Sequence, residues 1–146
     1  MVAGADISYD KRSDKLFAAV VVLEIPALEI VELATVIDRA RFPYVPGLLS
    51  FREAPALVRA FRKLQRRPDV VLIDGHGVAH PRRLGIASHL GWLLELPTVG
   101  CAKSILCGEF KRLAGLRGGT ASLVHKGEKV GCALRTRTRV KPVYIS

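Results

Sequence analysis

Little in this sequence of 146 residues could cross-link it, export it or seat it in a membrane. Its three cysteines, Cys101, Cys107 and Cys132, are odd in number and form no C-x-x-C pair. Disulfide frameworks and zinc ribbons need paired cysteines, so both are disfavoured and a reducing, cytoplasmic setting is expected. Residues 1–10 hold no basic segment leading into an apolar core, which argues against a signal peptide. No apolar run is long enough to cross a bilayer, so no membrane partner is expected. Acid is scarce as well. Thirteen Asp and Glu against 23 Lys and Arg leave a net charge of +10, which favours a polyanionic partner, nucleic acid ahead of a membrane surface.

What is present suits one folded domain over residues 1–146, expected to act as a monomer. Ala5 to Asp10 alternates apolar and polar side chains and reads as a half-buried strand with Asp6, Ser8 and Asp10 on one face. Leu16 to Ile25 is a β-branched run and a second strand, and Glu29 to Ile37 a third; their short connections favour an antiparallel meander. Pro43-Tyr44-Val45-Pro46-Gly47 cannot continue a strand and reads as a stiff loop. On pattern alone, Tyr44 in it is a loop anchor packed on the core.

Ala54, Leu57, Val58, Phe61 and Leu64 then fall on one helical face. Ser50 followed by Glu53 fits a capping box. Pro55 conflicts with a helix capped at Ser50, so the helix either starts nearer Glu53 or starts with distorted geometry. Val70-Val71-Leu72-Ile73 reads as a buried strand covered on both faces and ending in Asp74. Leu84 to Leu96 is helical, and Thr98 to Lys103 is a short strand with a lysine at its end. Residues 70–103 therefore make a βαβ unit. Ser122–His125 and Val130–Leu134 predict a hairpin. Arg135, Arg137, Arg139 and Lys141 alternate as if on one strand face able to hold a phosphate backbone, and Val143–Ile145 is a last strand.

Three acids occupy comparable settings: Asp6 on the first strand, Glu53 at the start of the first helix, and Asp74 at the end of the central strand. Clustered carboxylates resist ionising together, and a divalent cation removes that conflict. Oxygen-only ligation suits magnesium or manganese. His76 and His80 sit in a glycine-rich turn, which argues against zinc there. Lys103 can reach a phosphate held at such a metal. An acidic metal cluster inside a basic protein fits phosphodiester hydrolysis.

Four stretches together resemble the endonuclease V family: Gly4-Ala5-Asp6-Ile7-Ser8-Tyr9, Pro43 to Gly47 with Ser50-Phe51-Arg52-Glu53, Asp74 to Gly85, and Gly100-Cys101-Ala102-Lys103. The resemblance implies an α/β, ribonuclease H-like fold: a mixed five-stranded sheet, meander plus βαβ, flanked by helices and followed by a C-terminal β-hairpin region. It implies nicking of DNA, dependent on Mg²⁺ or Mn²⁺, at the second phosphodiester bond 3′ to deoxyinosine, in DNA repair. Asp6, Glu53 and Asp74 match the metal-binding carboxylates, Lys103 the active-site lysine, and His80 a histidine near the scissile strand. Tyr44 matches the strand-separating wedge, and Gly75, His76 and Gly77 the loop lining the inosine pocket. Pro46, Gly47, Arg52, Arg82, Arg83 and Gly85 are assigned to nucleic-acid contact. Some relatives prefer inosine in RNA. Family members ordinarily extend beyond both ends of this span, so a compact version short of one metal ligand, with weak or absent cutting, is also an expectation.

Overall fold

The computed structural model describes residues 1–10, 12–45 and 47–146. Three strands, β1 (Val2–Tyr9), β2 (Lys15–Glu24) and β3 (Glu29–Arg39), form the expected antiparallel meander. Helix α1 (Leu49–Phe61) leads to β4 (Val70–Ile73), and α2 (Ile86–Leu94) to β5 (Thr98–Ala102). β4 lies parallel to β1, and β5 parallel to β4, so the βαβ unit forms as read from the sequence. The C-terminal strands β6 (Thr120–His125), β7 (Glu128–Leu134) and β8 (Val143–Ile145) do not stand apart. β8 pairs with β5, and one sheet of eight strands results, in the order β3-β2-β1-β4-β5-β8-β7-β6. The five-stranded mixed sheet is thus present and extended by three strands.

Both helices pack on one face of this sheet. Alternation along β2 puts Leu16, Ala18, Val20 and Val22 under them, against Ala54, Leu57, Ala60, Ala87 and Leu90. Alanines let the helices sit close to the strands, while each large buried Leu or Ile stabilises by roughly 1.5–3 kcal/mol. The other face is open: Leu72 is 42% exposed and Ile37 71%. The apolar run of β4 is therefore covered on one side only, correcting the expectation of two buried faces. A second, smaller core of Ala79, Leu123 and Val130 joins the loop after β4 to the C-terminal hairpin.

Three further expectations are corrected. No capping box forms: α1 begins at Leu49, Ser50 is buried inside it, and no side chain caps it. The Phe51 N–H bonds instead to the Leu48 carbonyl at 3.1 Å, a tight first turn compatible with Pro55 inside the helix. Glu53 is thereby left free for other work. The second helix is shorter than its pattern because Gly85 is extended and Glu95 turns left-handed. Arg135 to Lys141 is not a strand. The chain turns after Leu134, Arg139 is left-handed, and the Arg135 guanidinium donates to the Ala114 and Val140 carbonyls. These cations share no face.

Candidate active site

Parallel pairing of β1 and β4 in the register Ala5 to Ile73 places the next residues side by side, Asp6 within β1 and Asp74 just past the carboxyl end of β4. The Asp74 N–H reaches back to the Ala5 carbonyl at 3.3 Å. Both acids border an open-face cavity of about 530 Å³, together with Lys103 from the end of β5. Lys103 Nζ lies 2.5 Å from Asp74 Oδ2, and this bond and charge raise the lysine's pKa.

Glu53 comes from the helix side. It is 8% exposed, and burial pushes its carboxyl up to about 7; the charges of Asp6 and Asp74 add to the rise, and Arg52 opposes it. The negative charges of Asp6 and Asp74 are thus near enough to be felt at Glu53. Among the described residues, however, no three His, Cys, Asp or Glu side chains stand close enough to encircle a metal ion as they are arranged. Asp74 is turned onto Lys103 instead. The donor set still fits a hard divalent cation: three oxygen ligands, one of them buried and held partly protonated for want of positive charge.

Beside the carboxylates lies a cavity of about 300 Å³ that gathers Tyr44, Gly47, Gly75, His76, His80 and Gly85, all singled out from sequence. Tyr44 is 65% exposed at its rim, so it is not a loop anchor. His80 is buried, and burial and Arg82 lower its pKa. Burial, then the neighbouring His80, lowers that of His76, whose buried Nδ1 has no hydrogen-bond partner among the described residues. Both imidazoles are accordingly neutral at pH 7. Arg82 bonds the Gly47 carbonyl at 3.2 Å and ties the two loops together. Pro46 lies outside the described residues.

Backbone packs directly on backbone in this wall. A Cβ on Gly85 would stand 2.2 Å from the His76 carbonyl oxygen, and one on Gly100 2.6 Å from both the Gly75 oxygen and the Gly77 nitrogen. Gly100→Ala is expected to cost about 1–3 kcal/mol, the usual range for overpacking. Thermal melts of the parent and the variant measure the loss.

Two side chains make contacts that the sequence pattern did not disclose. Arg83, assigned to nucleic-acid contact, makes a set of internal bonds. Its guanidinium pairs with Glu128 at 2.8 Å, contacts His125 Nδ1 at 2.8 Å and donates to the His125 and His80 carbonyls. It braces the loop after β4 against the hairpin. Ser146 drew no attention in the sequence, yet its Oγ accepts the Gly77 N–H at 2.9 Å while its backbone pairs with Gly100. A lone serine after a short strand carries no signal of this in one sequence.

A mixed sheet with carboxylates side by side on adjoining parallel strands, and a third from a helix packed on it, defines a ribonuclease H-like domain. A family model described as Endonuclease V matches residues 1–146, and the chain belongs to the endonuclease V family. It is 55% identical over 148 residues to an endonuclease V of Gloeobacter violaceus, an alignment spanning 99% of this chain and 60% of that protein. It superposes on the crystal structure of the endonuclease V from Streptomyces avermitilis with a TM-score of 0.93 at 46% identity, covering 99% of this chain and 64% of the other. An endonuclease V from Ciona intestinalis, in complex with a 24mer DNA containing an inosine followed by a ribo-adenosine, is similar with a TM-score of 0.82 at 28% identity, covering 99% and 70%. The chain thus spans roughly two thirds or less of the first two relatives' length.

Proposed function

We propose that this chain is the nuclease domain of an inosine-directed endonuclease that nicks DNA at the second phosphodiester bond 3′ to deoxyinosine, as a step in repair of deaminated adenine. The observation that carries this is the side-by-side placing of Asp6 and Asp74 with Lys103 at one cavity, next to the cavity that gathers Tyr44 and His80. Inosine-containing DNA bound by the Ciona relative supports the choice of base.

Asp6, Glu53 and Asp74 would hold Mg²⁺, or Mn²⁺ in its place. Bound there, the ion supplies an activated water and neutralises charge building on the phosphate. Lys103 shifts from Asp74 toward the phosphate as the carboxylate is taken up elsewhere. Exposed Tyr44 stacks against the strand at the rim, and the flipped base enters the cavity, where the unpartnered His76 nitrogen and the loop backbone meet its edge. Hydrolysis breaks the P–O3′ bond, leaving a 3′-hydroxyl and a 5′-phosphate. His80, neutral and buried beneath the strand, shapes the site near the bond to be cut.

A second reading, a nucleic-acid binder with weak or absent cutting, is favoured by one observation: Asp74 is bound to Lys103, and no trio stands in ligating range among the described residues. An end-labelled inosine substrate, as DNA and as RNA, with Mg²⁺, Mn²⁺ or chelator, separates the readings. Metal-dependent cleavage one nucleotide beyond the inosine in DNA is the expected result. Binding without cleavage establishes the second reading, and cleavage confined to RNA makes the chain an endoribonuclease.

A further inference from the structure

We infer that the cleft between the end of β3 and helix α1 is a second phosphate-holding site, receiving the nucleic-acid backbone away from the lesion. The inference rests on the proposed action on nucleic acid. The cleft encloses about 180 Å³, and Arg39, Arg41, Arg52 and Arg59 line it against a single carboxylate, Asp38. That carboxylate is already committed to Arg59. Arg39 and Arg41 are exposed and form no salt bridge among the described residues.

A further like-charge pair flanks the cleft on the open face of the sheet. Lys15 on β2 stands directly opposite Arg39 on β3. Like charges in that position destabilise a sheet, and a polyanion laid across them reverses the sign of the interaction. Cations on an edge strand also deter strand addition, and β3 is an edge. Scattered lysines would serve that purpose, whereas here arginines from the end of an edge strand and from a helix line one concavity, a composition that suits phosphate oxygens.

Position ties the cleft to the site. β2 runs antiparallel to β1 and β3 to β2, so β3 ends at the same end of the sheet as Asp6. Two strand spacings across and three or four residues along put Arg39 on the order of 15 Å from Asp6. That is roughly four or five nucleotides of one strand at 3.4 Å each. Arg52 bridges the interval: it neighbours Glu53, lies 6.0 Å over the Tyr9 ring, and bonds the Phe42 carbonyl at 2.9 Å.

The test compares binding, under chelator to prevent cutting, of a duplex of about 30 base pairs and a single strand of about five nucleotides, each with one inosine. For the Arg39→Gln/Arg41→Gln variant, affinity for the duplex should fall about tenfold and its salt slope by about 2, with the short strand bound as before. Arg39→Lys/Arg41→Lys, which keeps the charge, should restore most of the slope. An unchanged duplex slope, or equal losses on both substrates, overturns this inference alone. Failure of the parent chain to bind either substrate overturns it together with the proposed function.

Discussion

Asp74→Asn is expected to reduce nicking of inosine-containing DNA by about 10³-fold or more, because a metal site loses several kcal/mol of transition-state stabilisation with a carboxylate ligand. Binding should survive. The amide is close to isosteric, and the backbone bond from residue 74 to the Ala5 carbonyl does not involve the side chain. Lys103, which now spends its charge on Asp74 at 2.5 Å, would be released toward the phosphate, so affinity should hold or rise. Single-turnover cleavage alongside equilibrium binding on the same substrate measures both quantities. A variant cutting at the parent rate removes Asp74 from the chemistry. One that loses binding together with cutting shows that the carboxylate's role is to hold the strand end in shape.

How far the sequence reached depended on the kind of signal. Alternation in β1 and β2 and the run before Asp74 disclosed the strands, because periodicity and β-branching act over a few residues. The side-by-side placing of Asp6 and Asp74 depends on β1 and β4 being neighbours, which no local signal encodes. The covering of faces was not legible: Leu72 and Val71 look alike in sequence, and only the helices' choice of one side separates them. Alternating Arg135, Arg137, Arg139 and Lys141 imitated a strand, yet a left-handed Arg139 and backbone acceptors around Arg135 make a turn, a tertiary preference overriding a local one. For the same reason the internal bonds of Arg83 were not legible: its partner Glu128 is 45 residues away. The capping box failed because Ser50 is buried inside the helix, and that failure leaves Glu53 available to the carboxylate site.

Glu53 gives the second large effect, this time on stability. Folding raises its pKa from the ordinary 4.5 to about 7. Between those values the folded chain keeps a proton that the unfolded chain has released, so this group's contribution is complete below pH 4.5 and is lost as pH rises through 7. The full change is up to roughly 3 kcal/mol, or on the order of 10 °C in melting temperature for a chain of this size. His76 and His80, both lowered, act with the opposite sign below pH 6.5, so the parent curve alone would mislead. The informative quantity is the difference between the parent and Glu53→Gln. The two should melt together near pH 5, and the variant should melt higher at pH 8 without metal. Adding Mg²⁺ or Mn²⁺ at pH 8 should raise the parent and close or reverse the gap, since the amide offers no charge to a cation and ligation favours the deprotonated carboxyl. A gap that ignores pH would mean that Glu53 ionises freely in the folded chain. A gap that ignores the cation would mean that the carboxylates repel one another without serving as its ligands.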